Sequence, residues 1–173
     1  MTESTSLRVR KPVLWLTVTA LLLSMNIALS SFGLPVPGGH LYLNDVVICT
    51  AAILLDPVAA FAVGGLGAFL GDFFFYPTPM FVSLVTHGLQ AVVISLCAHH
   101  LFPRRRILGA GIGVLLGAVI MVAGYSLGRA FLYSTVEYAL LKLPFQILQA
   151  GTGAVAGMFL CFPCHMLSRF ERL

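Results

Sequence analysis

Two short series of polar residues stand out in an otherwise apolar sequence. Each series places three residues at positions i, i+4 and i+7, which lie on one face of a helix. The members are Ser83, His87 and Gln90 in one series, and Lys142, Gln146 and Gln149 in the other. Hydroxyl, imidazole, ammonium and amide groups supply both donors and acceptors of hydrogen bonds. The two series therefore predict two helices that present polar faces to a small polar ligand.

The composition indicates the environment of these helices. Of the 173 residues, 59% are hydrophobic and only 9% are charged, whereas a soluble domain has about 25% charged residues. The chain therefore reads as an integral membrane protein. This excludes the secreted, nucleic-acid-binding and cytosolic-enzyme classes, and leaves the lipid bilayer as its surroundings.

Charge-free stretches divide the chain into six predicted transmembrane helices within a single membrane domain, 1–173. The predicted spans are 12–34, 43–55, 57–75, 79–102, 107–132 and 141–167. The fold class is an all-α integral membrane protein. The stretches 34–44, 75–79 and 133–141 are predicted to be outer loops, and the first of them has the Pro, Gly and aromatic residues of an ordered lid.

Basic residues orient the predicted spans, because Lys and Arg are retained on the cytoplasmic side of short loops. One cluster precedes the first span, a second follows the fourth and a third follows the sixth: Arg8, Arg10 and Lys11; Arg104, Arg105 and Arg106; Arg169 and Arg172. An even number of crossings must separate them. Six spans satisfy this condition with both termini cytoplasmic. Only Arg129 and Lys142 then lie toward the outside, which argues against a strongly anionic ligand.

More polar residues fall at the outer ends of these spans. Taken singly, each has a structural explanation as a cap or as a hydrogen bond between helices. Together they favour a pocket that opens to the outside, because ionisable groups at membrane depth tend to mark sites. The predicted pocket residues are His40, Asn44, Asp45, Asp72, Tyr76, His87, Glu137 and Gln146, with Phe74, Phe75 and Tyr138 as aromatic neighbours. Donors, acceptors and aromatic rings together suit a small heteroaromatic alcohol.

Small residues predict close helix packing. Four glycine pairs occur at a spacing of four residues: Gly67 and Gly71, Gly113 and Gly117, Gly124 and Gly128, Gly153 and Gly157. Ala20, Ser24 and Ala28 form a small-residue stripe on the first span. The residues alone favour a contact of this stripe within the chain over a contact with a partner.

A rival hypothesis concerns the cytoplasmic side, where a membrane redox or metal-binding protein would hold its metal. Thiol and imidazole ligands occur there together: Cys97, His99, His100, Cys161, Cys164 and His165. Absorbance spectra and metal analysis would separate this hypothesis from a binding protein. The first hypothesis needs no metal or other cofactor.

The sequence also indicates what drives any transport. It contains no G-x-x-x-x-G-K-[ST] motif, so the chain does not bind ATP through a P-loop. It has no arrangement of a hydrolase either, and we do not expect an enzyme. If the chain moves a solute uphill, the energy must come from another subunit or from an ion gradient.

Several segments resemble the substrate-specific S component of energy-coupling factor (ECF) vitamin transporters, a family of small six-helix proteins. The resemblance rests on LYLNDVV at 41–47, AAILLDPVAA at 51–60, GGLGAFLGD at 64–72, YPTP at 76–79 and LPFQILQ at 143–149. The chain is similar to the hydroxymethylpyrimidine or pyridoxine type. It differs in having His87 where many relatives carry Lys, and Gln146 where Asn is expected.

The resemblance implies a function. Such S components capture a vitamin or its precursor outside the bacterial plasma membrane, beneath a lid formed by the first outer loop. They then dock on a membrane scaffold subunit (EcfT) that is powered by two cytoplasmic ATPases (EcfA and EcfA′). A small-residue motif on the first helix contacts the scaffold, which here corresponds to Ala20, Ser24 and Ala28. Hydroxymethylpyrimidine or a form of vitamin B6 is expected as substrate, ahead of riboflavin and pantothenate.

Overall fold

A computed structural model describes residues 11–37, 39–102, 104–170 and 172. Within these residues the chain forms helices and one small β-hairpin. The helices are α1 (Pro12–Ser30), α2 (Asn44–Leu54), α3 (Pro57–Phe75), α4 (Met80–Leu101), α5 (Arg106–Tyr133), α6 (Val136–Cys161) and α7 (Met166–Phe170), and the strands are β1 (Leu34–Val36) and β2 (Gly39–Leu41). Helices α3, α4 and α5 each contain a π-helical turn, at Ala62–Leu66, Cys97–Leu101 and Arg129–Tyr133.

Five of these helices, α1, α3, α4, α5 and α6, are long and apolar enough to cross a membrane. The chain is therefore a multi-pass membrane protein. Helix α2 corresponds to the second predicted span, 43–55, but has only 11 residues, so it is about 16 Å long. A bilayer core is about 30 Å thick, and α2 does not cross it alone.

The long helices alternate in direction, so that the helix ends form two layers. Trp15 Nε1 near the start of α1 donates to Asp56 Oδ2 at the α2–α3 turn at 2.5 Å. Ser95 Oγ near the end of α4 donates to the backbone oxygen of Leu55 at 2.7 Å. The described basic residues of all three clusters lie in this layer: Lys11, Arg104, Arg105, Arg106, Arg169 and Arg172. We call it the basic end; Arg8 and Arg10 lie outside the described residues.

Helix α2 occupies the centre of the bundle. All of its residues except Val46 are buried. Asp45, at its first turn, contacts Gln90 of α4 and Gln149 of α6, which lie near the middle of their helices. Helix α2 therefore starts at mid-depth and runs toward the basic end, and it packs mainly against α6 and also against α4, α1 and α3.

The predicted glycine pairs lie at helix contacts. A Cβ atom on Gly153 would come within 2.5 Å of Asp45 Cβ, and one on Gly157 within 2.8 Å of Cys49 Cβ. Gly67 similarly faces Asn26 of α1, and Gly124 faces Thr86 of α4. The absence of side chains at these positions lets the central helices approach closely.

The first predicted outer loop contains strands, so the expectation of an all-α chain is incomplete. Strands β1 and β2 pair antiparallel, with Val36 opposite Gly39. Gly39 has φ of +142°, a conformation that side-chain-bearing residues rarely adopt. The turn at Gly39 thus lets the connection 31–43 fold back on itself, and α1 ends at Ser30 rather than at residue 34 as predicted.

The start of the last span was also predicted wrongly. Residues 133–141 were expected to form a loop because they include Glu137, yet α6 begins at Val136. Thr135 Oγ1 accepts a hydrogen bond from the backbone N–H of Tyr138 at 3.4 Å, and so caps the helix. An acidic residue in the first turn also favours helix formation through the helix dipole. The helix ends at Cys161 rather than at residue 167.

Candidate ligand-binding site

A cavity lies at the end of the bundle opposite the basic end. Its empty volume, which includes space open to solvent, is about 600 Å³. The hairpin covers it, and α1, α3, α4, α5 and α6 form its walls. The described lining residues are Ser30, Gly39, His40, Tyr42, Asn44, Ala68, Asp72, Tyr76, Pro79, His87, Met121, Tyr125, Arg129, Tyr133, Lys142, Gln146 and Gln149.

The structure brings most of the predicted pocket residues together. Six of them line this cavity: His40, Asn44, Asp72, Tyr76, His87 and Gln146. Asp45 lies below its floor and is 1% exposed. Glu137 is not among the described lining residues, and its side chain is exposed on the first turn of α6. The cap of α6 explains this, because it places Glu137 at the outer tip of a helix instead of in a loop over the pocket.

A hydrogen-bonded network lies beneath the cavity and converges on Asp45. His87 Nδ1 donates to Gln90 Oε1 at 2.7 Å, and Gln90 Nε2 donates to Asp45 Oδ1 at 3.1 Å. Gln149 Nε2 donates to Asp45 Oδ2 at 2.6 Å. The ring nitrogen of His87 is also 3.9 Å from Asp45 Oδ1. Both carboxylate oxygens of Asp45 are therefore occupied by amides, and the side chain orients cavity residues instead of facing the cavity.

A second network orders the wall formed by α3, α4 and α5. Tyr125 OH donates to Ser83 Oγ at 2.5 Å, and Ser83 Oγ in turn donates to Asp72 Oδ2. The ring of Tyr125 stands edge-on to the ring of His87, with the centroids 5.2 Å apart. These contacts hold Asp72 and His87 in fixed positions on the cavity wall.

Two contacts connect the hairpin segment to α6. Lys142 Nζ donates to the backbone oxygen of His40, and the backbone N–H of Tyr42 donates to Gln149 Oε1 at 3.1 Å. Burial, followed by the nearby Asp72 carboxylate, raises the pKa of the Tyr42 hydroxyl from 10.0 to about 12. The covering segment is therefore anchored by side chains that also line the cavity.

Some buried polar atoms of the cavity have no hydrogen-bond partner among the described residues. They are Asn44 Oδ1, Tyr133 OH and Gln146 Oε1. A buried polar atom without a partner costs about 1–3 kcal/mol, and most such atoms in native structures are satisfied. Because these three line one cavity, a ligand with complementary polar groups would satisfy them.

The aromatic residues of the cavity differ from those expected. Phe74, Phe75 and Tyr138 were predicted to flank the ligand, but they are 64%, 51% and 54% exposed, as residues that face lipid would be. Beside the predicted Tyr76, the cavity contains Tyr42, Tyr125 and Tyr133. Tyr125, Arg129 and Tyr133 are spaced i, i+4 and i+8, and this shared helix face is the sequence signal that could have placed the two tyrosines at the cavity.

The structure does not support the rival metal site. Among the described residues, no group of three or more His, Cys, Asp or Glu side chains is placed to hold a metal ion. His99 Nδ1 contacts the backbone oxygen of its own helix at Ser95, at 2.8 Å. Cys161 is buried, whereas Cys164 and His165 are exposed beyond the end of α6. Cys97 and His100 lie on the π-helical turn of α4 and form no metal-binding group with the others.

The small-residue stripe of α1 has its side chains directed away from the bundle. Ala20, Ser24 and Ala28 are all exposed, while the opposite face of α1 buries Thr19, Leu22, Asn26 and Ser30. The Ser24 hydroxyl donates to the Ala20 backbone oxygen of its own helix at 2.8 Å. The contact within the chain that the residues alone favoured is therefore made by the other face of the helix.

Comparison with known proteins gives the family. A family model described as "ECF-type riboflavin transporter, S component" matches residues 12–165, which include all the described lining residues of the cavity. No curated protein sequence matches the chain significantly. With nearly the whole chain matched, the protein belongs to the family of S components, the substrate-binding subunits of ECF transporters.

Proposed function

We propose that the chain binds a vitamin or vitamin precursor from outside the bacterial plasma membrane, as the substrate-specific subunit of an ECF importer. The observation that carries this proposal is the set of unpartnered buried atoms, Asn44 Oδ1, Tyr133 OH and Gln146 Oε1, around one cavity. A solute that supplied their hydrogen bonds would be held in a defined orientation.

The proposed orientation puts the basic end and both termini in the cytoplasm. The described residues of the basic clusters share that end, and positive charge is retained on the cytoplasmic side. The cavity then opens outward beneath the hairpin, which acts as its lid. In this proposal the ligand contacts His40, Asn44, Asp72, Tyr76, His87 and Gln146. Asp45 positions Gln149 directly and His87 through Gln90.

The proposed partners follow from family membership. An S component associates with a membrane scaffold subunit and two cytoplasmic ATPases, which supply the energy that this chain has no P-loop to obtain. The exposed stripe of Ala20, Ser24 and Ala28 is the proposed surface for the scaffold. Its small side chains permit close approach of another helix.

The candidate substrates are vitamins and vitamin precursors. The description of the matched family names riboflavin, whereas the sequence resemblance favours hydroxymethylpyrimidine or vitamin B6. Riboflavin is therefore the first ligand to test, with hydroxymethylpyrimidine, pyridoxine and pantothenate beside it. Tyrosine rings and polar groups in one cavity suit a small ring-containing solute.

Thermal unfolding of the purified chain in detergent tests the proposal. A ligand that binds only the folded protein stabilises it by RT ln(1 + [L]/Kd), so a substrate in the panel should raise the unfolding temperature at micromolar concentration. His87→Ala should abolish this stabilisation without preventing folding. Val155→Leu, at a lipid-facing position of α6 that is 72% exposed, is the control and should retain it. A panel with no stabilising member would contradict the proposal.

Thiol labelling tests the orientation. Cys164 is exposed at the basic end, and Glu137 is exposed at the opposite end. A membrane-impermeant thiol reagent applied to intact cells should label Glu137→Cys but not the native Cys164. The reverse result would place the cavity on the cytoplasmic side.

A further inference from the structure

Two basic side chains meet under the hairpin. If Gly39 carried a Cβ atom, that atom would be 3.7 Å from Arg129 Nη1 and 4.0 Å from Lys142 Nζ. Both residues line the cavity, on α5 and α6 respectively. One point beneath the hairpin is therefore close to a guanidinium and to an ammonium group at once.

The environment of Lys142 lacks a compensating negative charge. The residue is 3% exposed, and its ammonium group donates to the backbone oxygen of His40. Within the part of the chain that the structure describes, no carboxylate lies within 4.0 Å of it. A buried ammonium group is strongly disfavoured unless it is paired. The neighbouring guanidinium adds repulsion, which an anion would remove.

Tyr133 adds a neutral donor at the same place. Its buried hydroxyl has no hydrogen-bond partner among the described residues. The Arg129 guanidinium lies 5.5 Å from the centroid of the Tyr133 ring. Both residues belong to the π-helical turn Arg129–Tyr133, and such turns often occur at functional sites. An ammonium, a guanidinium and a hydroxyl group are suitable donors for an oxyanion.

The remaining carboxylate of the cavity is engaged elsewhere. Asp72 accepts the hydrogen bond from Ser83, whose hydroxyl is in turn bonded to Tyr125. Among the described lining residues, Arg129 and Lys142 carry two positive charges against the single negative charge of Asp72. The cavity wall is thus positively charged on the side of α5, α6 and Gly39.

We infer that Arg129, Lys142 and Tyr133 form a subsite for an anionic group of the ligand, a carboxylate or a phosphate. This inference rests on the proposed function and narrows its substrate class to solutes with a single anionic group beside a polar or ring-containing body. Two cations are few for a multiply charged ligand, but they suffice for one such group. The ligand's oxyanion would also bridge Arg129 of α5 and Lys142 of α6, and Lys142 anchors the hairpin through the backbone oxygen of His40.

Matched ligand pairs test the subsite in binding measurements on the detergent-solubilised full chain. The pairs are pantothenate with pantothenol, pyridoxal phosphate with pyridoxal, and flavin mononucleotide with riboflavin. In each pair the first member carries the anionic group and the second lacks it. The charged member of at least one pair should bind about tenfold or more tightly, as expected for hydrogen bonds to a charged group. The first pair tests a carboxylate and the other two test a phosphate.

Variants assign the effect to the residues. Lys142→Met should weaken binding of the charged member about tenfold or more and should weaken the neutral member much less, and Lys142→Arg should restore the preference. Tyr133→Phe should reduce the preference without changing the fold. Tighter binding of the neutral members, or an equal effect of Lys142→Met on both members, would overturn the subsite while leaving the proposed function intact. Absence of binding by every pair would overturn the subsite, and the proposed function would be contradicted as well if hydroxymethylpyrimidine and pyridoxine also failed to bind.

Discussion

Asp45 and Gln149 are 104 residues apart in sequence, yet Gln149 Nε2 donates a hydrogen bond to Asp45 Oδ2 at 2.6 Å. The opposite side of the same amide accepts the backbone N–H of Tyr42, just beyond the hairpin, at 3.1 Å. One side chain thus joins the covering segment of the cavity to the carboxylate beneath its floor. The position of the hairpin and the position of α2 are linked through Gln149.

Replacing Gln149 by Leu should accelerate ligand release. The substitution removes both hydrogen bonds and leaves the Asp45 carboxylate with one amide donor fewer, at a cost of about 1–3 kcal/mol. We expect the dissociation rate to rise about tenfold, as measured by stopped-flow or by ligand chase. Leu148→Ala, at the adjacent position that is 59% exposed, should leave the rate as in the wild type. A rate unaffected by Gln149→Leu would separate the hairpin anchor from ligand retention.

Gly153→Ala should destabilise the protein, and Gly151→Ala should not. A Cβ atom on Gly153 would lie 2.5 Å from Asp45 Cβ and 3.0 Å from its backbone carbonyl carbon, whereas one on Gly151 would meet nothing within 4 Å. Overpacking costs about 1–3 kcal/mol, while alanine in an exposed helix is favoured over glycine by up to about 1 kcal/mol. Unfolding temperatures measured in detergent without ligand test the pair. Equal stability of the two variants would mean that α2 and α6 are not in close contact.

Ser24→Leu should weaken association with the scaffold but preserve ligand binding by the isolated subunit. The bulky side chain would separate the two helices at the exposed stripe. Thr152→Leu is a matched control, because Thr152 is also exposed and its hydroxyl also donates to its own helix, to Leu148 at 2.8 Å. Co-purification with the scaffold is the measurement. Normal recovery of the scaffold with Ser24→Leu would remove this face of α1 from the interface.

Tyr42 should make the stability of the chain depend on pH in the alkaline range. Its pKa is about 12 in the folded protein and 10.0 as the reference value. The folded state therefore retains a proton that the unfolded state loses, so its contribution to stability is full below pH 10.0 and is lost as the pH rises toward 12. Unfolding temperatures of the wild type should fall more steeply across this window than those of Tyr42→Phe. Parallel curves would mean that Tyr42 is not buried in solution.

The sequence predicted those features that repeat along a helix. The two polar series face the interior as expected, because the i, i+4, i+7 spacing determines which side chains share a face; Ser83, His87, Gln90, Gln146 and Gln149 are all buried. The glycine pairs likewise lie at helix contacts. Periodicity and charge distribution suffice for such features.

Other features depend on local hydrogen bonds that carry no periodic signal. The cap at Thr135 starts α6 early and leaves Glu137 outside the cavity. The hairpin depends on the backbone conformation of Gly39. The π-helical turn that holds Arg129 and Tyr133 does not differ in composition from an α-helix, and so their convergence with Lys142 was not predictable from spacing.

The shortness of α2 has a consequence for leakage. A solute in the cavity rests on a floor at half the depth of the bundle, so only about 16 Å of protein separates it from the basic end. That remaining plug consists mainly of packed alanine, isoleucine and leucine side chains, among them Ile48, Ala51, Ala52, Ile53 and Ala91. Under the proposed function, selection of the solute and exclusion of ions are therefore assigned to different halves of the same small bundle.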